Sequence, residues 1–155
     1  MKPYLVLVLL LLVGCVQPGY RLEVLNPPSA VAVGQPFTFQ WELTGAAAMI
    51  PHTAIHYDFI SHPSSFGLDM TPEASGYKYK TLDFAQGDYA IPRTFSSLVE
   101  LDMSGTLHYR AHAVINGQHY WTEEFSVPVS GEGIMLEDDQ MDAALAELEA
   151  LETLA

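Results

Sequence analysis

Hydrophobic and polar residues alternate along much of the chain between residues 21 and 130. The clearest alternation covers residues 37–43, and a second covers residues 53–60, where one face carries aliphatic and aromatic side chains. A period of two is typical of a β-strand that buries one face, and prolines and glycines separate these segments. The pattern therefore predicts an all-β domain of about seven short strands.

The segments between the clearest strands predict loops and edges. Residues 61–76 are rich in Ser, Pro and Gly and predict a long loop, and residues 87–92 predict a turn. Residues 77–84 predict an edge strand, in which two lysines discourage pairing with other chains. Residues 94–101 predict a further strand.

The last two strands are expected to form a hairpin around residues 116–117, an Asn-Gly pair. A two-residue turn there would pair Tyr109 with Glu124, whereas a three-residue loop pairs Tyr109 with Phe125. We prefer the three-residue loop, because it keeps Phe125 on the inner side. This choice also requires a bulge between Trp121 and Phe125.

Two segments carry a resemblance to a known fold family. Residues 37–41, FTFQW, resemble the second strand of fibronectin type III and related immunoglobulin-like domains, which carries a buried tryptophan. Tyr109 is similar to the tyrosine-corner residue of the penultimate strand in that family. The resemblance covers about residues 22–129 and implies a single immunoglobulin-like β-sandwich over residues 21–130. It also implies that Trp41 and Tyr109 belong to the core.

The balance of charge excludes one class of partner. The chain has 19 acidic residues, six Lys and Arg, and a formal charge of −13. Nucleic-acid binding needs a basic face that neutralises phosphates, so we expect no nucleic-acid partner. A single cysteine excludes an intrachain disulfide.

The amino terminus has the build of a secretion signal. Residues 1–14 contain an apolar run that is shorter than the about 20 residues needed to span a bilayer. The run ends in Leu-Val-Gly-Cys, which resembles the lipobox of prokaryotic lipoproteins. This resemblance implies cleavage before Cys15, lipidation of Cys15, and a tether over residues 15–20. The expected location is the cell envelope, on the extracytoplasmic side of a membrane, and Val16 in place of Asp favours the outer membrane where one exists.

The carboxyl terminus is acidic and helical in pattern. Residues 131–137 predict a linker, and residues 138–155 predict an amphipathic helix. This helix is either a solvated tail or a segment that binds a protein partner or a second copy of the chain. Its proposed partner-binding stripe consists of Met141, Leu145, Leu148 and Leu151.

Histidines are the polar residues that suggest chemistry. His52 and His56 lie on one predicted strand, and His108 and His112 lie on a strand expected to be its antiparallel neighbour. One register would place His52 opposite His112 and His56 opposite His108, with each pair about 5 Å apart at Cβ. Each pair is a candidate Zn or Cu site, and Asp58 lies diagonal to His108. The two pairs are about 13 Å apart along the strand, so they would not share one ion.

A simpler interpretation of the same histidines needs no metal. They are then an exposed polar face, or a surface that recognises a protein, and Arg110 between His108 and His112 would repel a cation. His62 and His119 lie in or beside loops and are expected to contribute little. If the pairs form, protonation near the histidine reference pKa of about 6.5 would make the surface sensitive to pH.

The sequence holds no Gly-x-Ser-x-Gly motif, no glycine-rich phosphate loop and no His-Glu-x-x-His motif, so we expect no enzymatic activity. The expected function is a lipid-anchored binding or assembly module of the cell envelope, without a cofactor. It would reach the membrane through Cys15 and a protein partner through the acidic tail. The alternative is an envelope lipoprotein that binds Zn or Cu through its histidines.

Overall fold

Two β-sheets pack against each other in the computed structural model, which describes residues 19–131. The strands are β1 (Arg21–Leu25), β2 (Val31–Ala32), β3 (Phe37–Ile50), β4 (His52–Asp58), β5 (Tyr79–Lys80), β6 (Tyr89–Val99), β7 (Gly105–Ile115), β8 (Gln118–Trp121) and β9 (Phe125–Ser130). The first sheet has the order β1-β3-β6 and the second the order β2-β9-β7-β4-β5, with β8 also paired to β7. Only β2 and β9 pair in parallel among these described strands. The predicted all-β sandwich is confirmed at this level.

The core lies between the two sheets, where alternate residues of each strand point inward. Trp41 of β3 stacks on Phe95 of β6, with ring centroids 5.7 Å apart. Tyr109 of β7 packs against Phe39 of β3 across the sandwich, with centroids 4.8 Å apart. The fully buried side chains of this layer include Phe39, Trp41, Leu43, Ile55, Phe95, Leu107, Tyr109 and Val127.

Thr53 connects the core to the second sheet. Its hydroxyl accepts a hydrogen bond from Trp41 Nε1 at 2.8 Å and donates one to the carbonyl oxygen of His112 at 2.7 Å. Trp41 and Tyr109 are buried as the sequence predicted. The Tyr109 hydroxyl, however, has no hydrogen-bond partner among the described residues, so the hydrogen bond of a tyrosine corner is not formed there.

The prediction of a turn at residues 87–92 is wrong, because β6 begins at Tyr89 and pairs with the end of β3. Pro92 is tolerated because it lies where the β3–β6 register shifts between Leu43 and Ala48. The predicted edge strand at residues 77–84 is shorter than expected and is reduced to β5.

The hairpin follows the register of the two-residue turn along β8 and the Tyr109–Phe125 pairing along β9. The turn has two residues, since Ile115 pairs with Gln118, and Asn116 and Gly117 have φ of 52° and 76°. The three-residue loop is therefore wrong. The register then shifts by one residue between β8 and β9, so that Tyr109 pairs with Phe125. The predicted bulge between Trp121 and Phe125 is therefore confirmed.

No helix among the described residues is long and apolar enough to cross a membrane. The leader with Cys15 and the predicted acidic helix lie outside the described residues.

Replacing Thr53 with valine removes the hydroxyl that joins Trp41 to β7. We expect a loss of about 1–3 kcal/mol in the free energy of unfolding, because two buried polar groups lose their partner. Urea unfolding followed by tryptophan emission measures the change. Thr53→Ser keeps the hydroxyl and serves as the control, and a valine variant as stable as the wild type would contradict the prediction.

Candidate metal centre

Four histidines meet on the outer face of the second sheet. His52 and His56 come from β4, His112 from β7 and His119 from β8. In the β4–β7 register Ala54 lies opposite His112, so His52 and His56 are both diagonal neighbours of His112. The ring centroids of His52 and His56 lie 4.9 Å and 5.3 Å from that of His112.

The ring nitrogens converge closely enough to share one ion. One ligand atom from each of His52, His56 and His112 lies within 4.8 Å of the others. His52 Nε2 is 3.0 Å from His112 Nδ1, close to the about 3.3 Å between two nitrogens on a tetrahedral zinc with Zn–N bonds of about 2.0–2.1 Å.

His52 already has the orientation of a metal ligand. Its Nδ1 lies 2.7 Å from the carbonyl oxygen of Ala85, which leaves Nε2 directed at His112. A hydrogen bond from the second ring nitrogen to a carbonyl is the usual support of a histidine ligand. His56 Nε2 is buried and has no hydrogen-bond partner among the described residues.

The cluster is covered by the loop of residues 61–76 and by an aromatic wall. Trp121 stacks on the ring of His112 at 4.1 Å, and Phe66 packs edge-on against Trp121 at 5.2 Å. Trp121 Nε1 donates a hydrogen bond to the carbonyl oxygen of Met70, which fixes the loop over the site. His56 is 3% exposed and His112 is 0% exposed. The interpretation as an exposed polar face is therefore wrong for these two histidines.

Burial keeps the imidazoles of His52, His56 and His112 uncharged at neutral pH. It is the main reason why the pKa of His56 is lowered to about 3 and that of His112 to about 2, and the nearby histidines and Lys80 contribute to both shifts. Burial also lowers the pKa of His52, with a smaller opposing effect from its bond to the Ala85 carbonyl. Neutral imidazoles offer lone pairs to a metal without first losing a proton.

A cleft of about 190 Å³ reaches one edge of the cluster. It opens between β5 and the loop, and His56 forms part of its wall. Its other lining residues are Pro72, Glu73, Tyr77, Lys78, Tyr79 and Lys80. The cleft therefore brings open space to the edge of the buried His56.

Two of the predicted metal ligands are elsewhere. His108 lies opposite Asp58, and its Nδ1 is 3.5 Å from a carboxylate oxygen of Glu124. Asp58 accepts hydrogen bonds from the backbone N–H groups of Phe59 and Lys78. The predicted register, with His52 opposite His112 and His56 opposite His108, is wrong. The strands are offset from it by two residues, so His52 pairs with Val114 and His56 pairs with Arg110.

Arg110 lies opposite His56, and its guanidinium bonds to the covering loop rather than to the clustered histidines. It is 3% exposed, and its guanidinium stacks over Phe66 at 4.4 Å. It donates hydrogen bonds to the Tyr77 hydroxyl and to the carbonyl oxygens of His62, Ser64 and Thr122. Arg110 therefore anchors the covering loop, a role that the sequence analysis missed.

The sequence analysis expected little from His119, although the two-residue turn at Asn116 and Gly117 would have placed it beside His112. Its Nδ1 is 2.9 Å from His112 Nε2. The two-residue turn pairs His112 with Trp121, which places His119 diagonal to His112 on the same face. The remaining predicted site residues, Cys15, Met141, Leu145, Leu148 and Leu151, lie outside the described residues.

Acidification is expected to destabilise the metal-free protein. In the unfolded chain His56 and His112 bind protons below about pH 6.5, whereas in the folded protein they do so only near pH 3 and pH 2. The unfolded state therefore binds more protons, and each histidine lowers the free energy of unfolding by about 2 kcal/mol between pH 7 and pH 5. Urea unfolding across this range measures the slope. His56→Gln should show a shallower dependence on pH, and parallel curves for the two proteins would contradict the assignment.

No protein-family model matches this chain, and no curated protein sequence matches it. Fold alone does not define function, and the chemistry of the clustered histidines is what supports a functional assignment.

Proposed function

We propose that this chain is a lipoprotein of the cell envelope whose β-sandwich holds one transition-metal ion at His52, His56 and His112. The observation that carries the proposal is the convergence of three uncharged imidazoles, with ligand atoms within 4.8 Å, beneath a covering loop. In this role the domain is a non-catalytic binding module that retains metal at the membrane surface.

The energetics of burial favour a ligand at this cluster over a purely structural role. A buried polar atom without a partner costs free energy, and His56 Nε2 is such an atom. The trio also contains no carboxylate that would compensate a protonated imidazole. A bound metal ion would give His56 Nε2 a partner, in the tautomer of His56 that carries its proton on Nδ1.

The donor set favours zinc or copper over other cations. Imidazole nitrogen suits Zn, Cu, Fe and Ni, whereas Mg²⁺ and Ca²⁺ prefer oxygen ligands. Divalent copper is expected to bind more tightly than zinc at a site of this kind. Three protein ligands leave a fourth position for water or another small ligand.

The proposal also includes a location at a membrane and an immunoglobulin-like type of sandwich. The lipobox-like leader and Cys15 support anchoring on the extracytoplasmic side of a membrane. The strand order, with β2 parallel to β9 and with β1 and β3 in the opposite sheet, supports an immunoglobulin-like, fibronectin type III-like sandwich. The acidic tail remains a candidate segment for a protein partner.

Titration with metal tests the central claim. The chain from residue 16 onward, stripped of metal with a chelator, should bind one Zn²⁺ or Cu²⁺ in calorimetry and native mass spectrometry. His56→Gln and His112→Gln should each weaken binding by tenfold or more, because each removes one of three ligands. His108→Gln is the matched control, since His108 lies on the same strand as His112 but outside the cluster.

Two results would overturn the metal proposal. One is the absence of binding at micromolar metal, and the other is an equal loss of affinity in His108→Gln. The assembly module predicted from the acidic tail would then be the better interpretation.

Replacing Cys15 with alanine tests the anchor. In a bacterial host that processes lipoproteins, the wild type should sediment with membranes, whereas Cys15→Ala should lose this fraction because the lipid attachment site is gone. Fractionation and immunoblotting measure the distribution. Val16→Ala is the control, and a Cys15→Ala protein that stays membrane-bound would show that the anchor is elsewhere.

A further inference from the structure

We infer that His119 is a positioning residue of the metal site, which holds the ring of His112 by accepting a hydrogen bond from its Nε2–H when Nδ1 binds the ion. The inference rests on the proposed metal function. It assigns to His119 a role distinct from that of the three ligands.

His112 lies between two other imidazoles and uses both of its nitrogens. Its Nδ1 is 3.0 Å from His52 Nε2, and its Nε2 is 2.9 Å from His119 Nδ1. The ring planes of His112 and His119 are 13° from parallel with centroids 5.1 Å apart, and the 2.9 Å between the two nitrogens is within the range of a hydrogen bond. His119 therefore lies on the side of His112 that faces away from His52.

The direction of these hydrogen bonds follows from the carbonyl oxygen at one end. The carbonyl of Ala85 can only accept, so His52 Nδ1 must carry the proton that it shares with Ala85. His52 Nε2 then has a lone pair, and His112 Nδ1 must donate to it. His112 Nε2 is left as an acceptor, so His119 Nδ1 must donate in turn. The three rings form one chain that points from His119 to Ala85.

Binding of a metal ion at His112 Nδ1 requires the other tautomer of that ring. His52 needs no change, because its Nε2 already presents a lone pair. The proton of His112 must move to Nε2, where it faces His119 Nδ1, and the proton of His119 must then move to its own Nε2. Each ring keeps one proton, so the total charge of the two side chains is unchanged.

Histidine is suited to position 119 because one ring atom can serve both states. A neutral imidazole nitrogen donates in one tautomer and accepts in the other, so Nδ1 of His119 can bond to His112 in either state. The backbone fixes its place independently, since the N–H of His119 donates to the carbonyl oxygen of Leu68 at 2.9 Å. A side-chain substitution at position 119 therefore leaves this anchor of the covering loop in place.

Nitrogen NMR of the imidazoles tests the inference on the ¹⁵N-labelled chain, with the metal removed by a chelator and then loaded with Zn²⁺. On loading, His112 Nδ1 should change from protonated to metal-bound, and His119 should change from the Nδ1–H to the Nε2–H tautomer. His52 should remain protonated at Nδ1. A zinc-induced shift that marks a nitrogen of His119 as metal-bound would make it a ligand, and an unchanged tautomer of His119 would also overturn the inference.

Two variants give an independent readout by zinc titration. His119→Phe keeps a flat ring but accepts no hydrogen bond, and it should weaken zinc binding by about 10–100-fold while binding stays at one ion per chain. His119→Gln restores an acceptor oxygen and should recover most of the affinity. Equal affinity of the phenylalanine variant and the wild type would overturn the positioning role alone, whereas a wild type that takes up no zinc would overturn the proposed function itself.

Discussion

The pairing of β4 with β7 is the constraint on which the rest of the structure depends. These are the central strands of the second sheet, and their register decides what lies on each of its faces. On the inner face it sets Thr53 opposite Ala113 and beneath Trp41, so one hydroxyl joins the core to the sheet. On the outer face it sets His112 between His52 and His56. A slip of one residue would exchange the two faces and destroy both arrangements.

β4 and β7 are buried on both faces, whereas the outer face of an antiparallel sheet in a sandwich is commonly exposed to solvent. The outer face is closed by the loop of residues 61–76, and Arg110 holds the loop through hydrogen bonds to backbone carbonyls. Glu124 accepts hydrogen bonds from the Ser61 hydroxyl and from the backbone N–H of His62, and these bonds fix the start of the loop. The polar groups under the loop are thus mostly paired with one another. Two buried ring nitrogens have no hydrogen-bond partner among the described residues, Nε2 of His56 in the cluster and Nε2 of His62 in the loop.

The sequence predicted most strands and the faces of their residues, but it did not predict the start of β6 or the register between β4 and β7. Alternation alone identified β3, β4 and β7, because parity along a strand determines which side chains share a face. Pro92 misled the prediction of β6, since its position beside the irregular part of β3 is a tertiary property. Parity also put the histidines of β4 and β7 on one face. It could not choose between registers that differ by two residues, because both keep the same faces.

The two tryptophans of the chain occupy very different surroundings. Trp41 is sealed in the core against Phe95, whereas the indole of Trp121 lies 4.1 Å from the ring of His112 and reaches the covering loop through Met70. Ultraviolet light therefore excites two chromophores, one that senses the integrity of the sandwich and one that senses the electronic state of the imidazole beside it. The molecule contains its own optical label for the histidine cluster and, in Trp41, an internal reference within the same chain.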